Sequence, residues 1–139
     1  MAAEDDIVGR LLDDTQTWFV VGLGGDPTGD AYAIARLLQQ RGKRIVPIHP
    51  RAAEVLGEPG FRTIAEAAAA LGRPDVVDMF VRSDRVGPLV DDAVAAGAGA
   101  VWMQLGVVDE AAATRARDAG VDVVMDRCPA IEWAARGAR

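Results

Sequence analysis

Ile7, Val8, Leu11 and Leu12 recur at helical spacing behind the acidic first turn Glu4, Asp5, Asp6, which predicts a short amphipathic helix ending near Asp14 and packing as an extra lid. The period then changes. Trp18, Phe19, Val20 and Val21 form a continuous apolar run of strand length, closed by the loop Gly22, Leu23, Gly24, Gly25, Asp26, Pro27, Thr28, Gly29. Asp30 is the expected N-cap of a helix through Gln40, with Ile34, Leu37 and Leu38 inward, Arg41 in the last turn and Gly42 as the stop. A second strand follows over 44–48, where Pro47 lacks an amide donor and therefore requires an incompletely paired neighbour. Phe61 and Arg62 are expected to supply that neighbour as a short third strand.

Thr63, Ile64, Ala65, Glu66 reads as a capping box opening an alanine-rich helix stopped by Gly72. Residues 76–81 form the fourth strand, and the next helix is expected to start at Pro88, with Asp91 and Asp92 in its first turn and Gly97 at its end. Residues 100–104 are the fifth strand. Asp109 caps a helix to Ala119, residues 121–125 are the sixth strand, and Pro129 starts a last helix through about Ala135. Apolar strands alternating with helices predict an α/β domain with a parallel sheet covered on both faces, Rossmann-like and doubly wound, with strand order 3-2-1-4-5-6. The expected organisation is one domain over 1–139, with an N-terminal helix over 1–14 and a core over 15–135.

Composition narrows the function. A chain of 139 residues, half of them hydrophobic, holds one core and no second substrate domain. Fifteen Lys plus Arg against twenty-one Asp plus Glu give a net charge of −6, which argues against a general nucleic-acid or anionic-membrane binder. One Cys and one His exclude a disulfide framework and a multi-Cys or multi-His zinc site, leaving only carboxylate-based metal sites open, and no residue is assigned as a metal ligand. The longest charge-free stretch, 93–108, is too short and too broken by glycine to span a bilayer, and the acidic N-terminus is opposite in character to a secretory signal. A reducing cytoplasm is the expected location.

Chemistry concentrates where strands end. The loop after the first strand brings backbone amides to a helix N-terminus, suited to phosphate, with Gly22, Gly24, Gly25 and Thr28 as candidate contacts. It departs from the dinucleotide fingerprint, because Pro27 stands where the third glycine would fall. At the end of the second strand an NAD site usually carries a carboxylate for the ribose hydroxyls, whereas this chain reads Ile48, His49, Pro50, Arg51. Arg51 suits a phosphorylated ribose such as that of coenzyme A or NADP, with Arg44 and Lys43 nearby in sequence, Lys43 being expected as a surface cation. Phe80, Arg82 and Ser83 end the fourth strand on the same rim, and Gln104 and Gly106 close the fifth.

Four further residues invite a reading. His49 is a loop hydrogen-bonding residue with no triad partner in view. Asp78, inside an apolar strand, requires an internal partner if buried. Asp126 is a possible partner for Arg127. Cys128, beside Arg127 and before the last helix, is a candidate for a mixed disulfide with a thiol ligand.

The chain resembles the small stand-alone CoA-binding domain proteins, whose fold is similar to the N-terminal domain of the succinyl-CoA synthetase α subunit. The resemblance covers about Thr17 to Trp133 and rests on VVGL at 20–23, VPIHPR at 46–51, VLGE at 55–58, AVWMQLGV at 100–107 and VVMDRCPAIE at 123–132. It implies coenzyme A bound along the sheet rim by the first glycine loop, the end of strand two and the loops after strands four and five, with no reaction of the isolated domain. Two departures stand out. The family usually has Asn where His49 stands, and commonly Ser and Arg where this chain has Gly24 and Gly29.

The expected function is therefore a non-catalytic CoA or acyl-CoA binding module, with a small-molecule CoA ligand and neither nucleic acid nor membrane as partner. Two alternatives from other classes remain. One is a small NADP-dependent enzyme. The other is a regulatory scaffold with a decayed nucleotide pocket and Trp18, Trp102 or Trp133 exposed for a protein partner.

Overall fold

A computed structural model describes residues 3–137; the outermost residues of the expected 1–139 domain lie outside this range. In chain order the elements are α1 (Glu4–Asp14), β1 (Thr17–Val21), α2 (Asp30–Gln40), β2 (Arg44–Ile48), α3 (Ile64–Leu71), β3 (Val76–Met79), α4 (Ser83–Ala95), β4 (Ala100–Met103), α5 (Glu110–Asp118), β5 (Asp122–Val124) and α6 (Pro129–Ala135). The strands form one five-stranded sheet of order β2-β1-β3-β4-β5, all parallel. Among the described residues no helix is long and apolar enough to cross a membrane.

The expected third strand, at Phe61 and Arg62, is a single parallel bridge from Phe61 to Ile48, so the six-stranded order 3-2-1-4-5-6 is corrected to a five-stranded 2-1-3-4-5. Pro47 explains why pairing stops there. Its outward side offers a carbonyl, which accepts from the Phe61 amide at 2.9 Å, but no donor in return. The ladder resumes for one bond, His49 donating to the Phe61 carbonyl at 2.9 Å, and then ends.

Alternation along the strands divides the core in two. Phe19, Val21, Val77, Met79, Val101 and Met103 face α3, α4 and α5. Trp18, Val20, Val76, Ala100 and Trp102 face α1, α2 and α6. Apart from Asp78 and the residues that open β1, β2 and β5, both faces of the strands are thus apolar, as a doubly covered parallel sheet requires. The helix α1 buries Val8, Leu11 and Leu12 against this second face and so covers it as a layer of the core. Arg127 fastens it, reaching Asp5 at 2.8 Å, Glu4 at 3.6 Å and Glu132 at 3.0 Å.

Helix ends follow the sequence closely where a cap is made by a side chain. Thr63 accepts from the Glu66 amide at 3.0 Å and Asp109 from the Ala112 amide at 3.0 Å. Two expected starts move. Gly29, not Asp30, is the N-cap of α2, because the Asp30 backbone is already helical. The helix α4 begins at Ser83, and Pro88 lies inside it, where its missing N–H leaves one helical bond unmade.

Candidate functional site

The chain leaves β1 for β2 on one side of the sheet and returns to β3 on the other. This reversal makes the carboxyl ends of β1 and β3 a topological switch point, where a crevice opens in parallel sheets. Gly22 forms its floor. With φ at 96°, a Cβ here would be driven into the Phe80 carbonyl oxygen, so only glycine permits the two strand ends to run so close. The Gly22 amide donates to the Ile48 carbonyl at 2.8 Å and the Phe80 amide to the Val21 carbonyl at 2.9 Å. Beyond these bonds the loops diverge.

Between them lies a cavity of about 860 Å³, within the range of small-molecule and cofactor sites. The sequence-derived candidates Gly22, Gly24, His49, Arg51, Phe80, Arg82 and Gln104 converge on it from the ends of four strands. The others do not line it. Thr28 turns back to Asp26, its hydroxyl donating to the carboxylate at 2.7 Å and its amide at 2.9 Å. Gly25 and Pro50 lie outside the lining. Ser83 and Gly106 brace one another: the Ser83 hydroxyl donates to the Gly106 carbonyl at 3.0 Å and accepts from the Val108 amide at 2.9 Å. They set the shape of the rim from behind it.

Lining residues without a sequence signal include Asp26, Asp30, Tyr32 and Ile34 around the start of α2, and Leu105 and Val107 after β4. Ile34 had a core reading, which its burial supports, yet it also reaches the cavity. Leu105 stands between two candidates and is 55% exposed. Cys128, the N-cap of α6, lines the cavity half-buried.

The electrostatics are two-sided. Arg51 and Arg82 supply cations from the ends of β2 and β3. Arg82 pairs with Asp84 at 2.8 Å, but both side chains are largely exposed, so the pair is weak and leaves the guanidinium available. On the α2 side stand Asp26 and Asp30. The Thr28 hydroxyl, and then its amide, hold Asp26 below the usual carboxylate range, so it stays negative. Arg51 and Arg82 are thus the arginines of the cavity lining. Arg44 and Lys43 do not contribute: Arg44 faces Glu58 at 3.9 Å, and Lys43 is buried, its Nζ donating to the Thr15 carbonyl at 2.6 Å.

His49 is oriented by its own loop. The Arg51 amide donates to its Nδ1 at 3.1 Å, which assigns the proton of the neutral ring to Nε2. Asp78 is fully buried, its Oδ1 accepting from Gln104 Nε2. Burial pushes its acid from 3.8 up to about 8, only partly offset by that hydrogen bond, so Asp78 carries a proton at neutral pH. Asp126 does not pair with Arg127; it accepts from the Gly106 amide at 2.7 Å.

Trp18 and Trp102 are fully buried and Trp133 is 7% exposed, so none offers the exposed docking residue that the scaffold alternative required. Their ring N–H groups explain part of this. Trp18 donates to Thr15 Oγ1 and Trp102 to the Arg127 carbonyl, each at 2.8 Å, and polar satisfaction lets indoles sit in a core.

Residues 16–134 match the model of the CoA binding domain family, and the chain belongs to that family. It is 27% identical over 119 residues to the uncharacterized protein YneT of Bacillus subtilis (strain 168), covering 86% of each chain. Among solved structures it is similar to Prb, a PH1109 protein redesigned for binding, with a TM-score of 0.89 and 27% identity over 99% of this chain and 96% of that one. The same fold forms part of acetyl-coenzyme A synthetase 1 of Ca. Korarchaeum cryptofilum, with a TM-score of 0.71 and 24% identity over 86% of this chain and 28% of the synthetase. The resemblance read from the sequence thus holds, both in family and in fold.

Proposed function

We propose that this protein is a binding module for coenzyme A or an acyl-CoA, with no reaction of its own. The observation that carries the reading is Arg51 on the rim of the cavity, at the strand end where an unphosphorylated ribose would be met by a carboxylate. A guanidinium there suits the ribose phosphate of coenzyme A, which it can engage through two parallel hydrogen bonds. Family membership points to the same ligand. The His49 Nε2–H adds a neutral donor beside Arg51, and Phe80 offers an aromatic wall. Asp30 in the first turn of α2 disfavours a phosphate there, which favours the Arg51 side for the phosphates.

Cys128 and His49 line the cavity, but among the described residues no hydrogen bonds join a nucleophile, a base and an orienting group there, which supports binding over catalysis. A ligand selective for the native state raises the melting temperature once it exceeds its dissociation constant. Differential scanning fluorimetry with millimolar CoA and NADPH is the test. A rise with CoA that exceeds the rise with NADPH is expected; no rise with CoA, or a larger one with NADPH, would overturn the reading.

A further inference from the structure

Asp78 is an expensive residue for its position. It lies on β3 between Val20 and Trp102 in register, on the sheet face packed by the tryptophans, and is wholly excluded from solvent. Among the described residues its Oδ2 is the buried side-chain oxygen without a hydrogen-bond partner. An apolar side chain would fill the site without that cost. What Asp78 does provide is one contact: its Oδ1 accepts from Gln104 Nε2.

Gln104 is itself 6% exposed and lines the cavity at the end of β4. With the Asp78 proton on Oδ2, Oδ1 is a carbonyl acceptor that holds the Gln104 amide nitrogen inside, and the amide oxygen is the polar atom presented to the cavity. A free glutamine would present donor or acceptor by turning its amide over. Here the choice is made by a residue that never touches the cavity.

The position of Gln104 selects the ligand group. From β2, whose following loop carries Arg51, to β4 the sheet makes three strand steps, on the order of 14 Å. The cavity wall at that end consists of Leu105, Val107 and Cys128, which suits an uncharged arm and not a phosphate. We propose that Asp78 is a positioning residue that fixes the Gln104 oxygen as an acceptor for an amide N–H of the pantetheine arm. This rests on the coenzyme A reading above.

The test measures the affinities of CoA and of adenosine 3′,5′-bisphosphate, which lacks the arm, by titration calorimetry. The proteins are wild type, Asp78→Asn, Asp78→Val and Gln104→Leu. Asp78→Val and Gln104→Leu are expected to lose about tenfold in CoA affinity, the scale of one buried hydrogen bond, with the bisphosphate affinity unchanged. Asp78→Asn, which keeps an oxygen acceptor for Gln104, is expected to remain within about twofold of wild type, given that such a swap costs little when the bond is preserved. Should Asp78→Val not fold, Gln104→Leu at the cavity surface and the rescue by Asp78→Asn carry the comparison. Equal losses on both ligands, no loss on either, or a wild type that binds both equally would overturn the proposal. A wild type that binds neither compound overturns the coenzyme A reading instead.

Discussion

The imidazole of His49 lies over Gly24, so close that a Cβ added at that glycine would stand 2.8 Å from His49 Cδ2 and Nε2. Two of the three positions at which this chain departs from the pattern it resembles, His49 for Asn and Gly24 for Ser, therefore share one space. The larger ring at the end of β2 takes the space that a side chain on the first loop would occupy.

Gly24→Ser should accordingly push the ring out of place and weaken CoA binding about fivefold, while His49→Asn in the same chain should recover most of the loss. Residues in contact are coupled by about 0.5–3 kcal/mol, which such a cycle resolves. Calorimetric titration of the two single variants and the double variant checks it; effects that simply add would show that the two side chains do not share the space.

Asp78 gives stability a pH dependence with a definite sign. Its acid titrates near 3.8 when unfolded but only near 8 in the folded protein, where burial outweighs the hydrogen bond from Gln104. Between those values the folded state binds the extra proton. Its stabilising contribution is fully present below the unfolded value and is lost as pH rises toward about 8, by up to about 1.4 kcal/mol per pH unit. Urea denaturation of wild type and Asp78→Asn from pH 5 to 8.5 should show the wild-type midpoint falling relative to the variant. Parallel curves would mean that Asp78 is ionised in the fold.

Cys128 is the single cysteine of the chain and lines the cavity, so its alkylation reports on occupancy without ambiguity. Saturating CoA should slow its reaction with iodoacetamide several-fold, followed by intact mass, because a bound ligand covers the partly exposed thiol. An unchanged rate would place the ligand away from the β4 and α6 end.

Much of this architecture was legible because its signals are local. The box Thr63 to Glu66, the cap Asp109 and the stop glycines Gly42, Gly72, Gly97 and Gly120 each carry their instruction within a few residues. The strands announced themselves as short apolar runs. What failed was what tertiary context decides. Pro88 reads as a helix start, yet packing of Val86 and Val90 into the core extends α4 a turn and a half further back, and Pro88 is tolerated inside it. Phe61 reads as a strand, but Pro47 permits only a bridge.

The site divided along the same line. His49, Arg51, Phe80, Arg82 and Gln104 were visible because they sit where strands end, and the switch point brings such positions together. Ser83 and Gly106 sit there too, but they meet each other. Tyr32 and Asp30 were missed because nothing in a helix's first turn distinguishes a residue facing a cavity from one facing solvent. Lys43 read as a surface cation although it is buried and its amine donates to the Thr15 carbonyl, a contact 28 residues away in sequence.

The guanidinium of Arg51 as the reader of a ribose phosphate is tested most directly by calorimetric titration with CoA and with 3′-dephospho-CoA, on wild type and on Arg51→Ala. Wild type should bind CoA at least about tenfold more tightly than the dephospho form, as a lost charge-assisted bidentate contact implies, and Arg51→Ala should erase the difference. Equal affinities of wild type for the two compounds would contradict it.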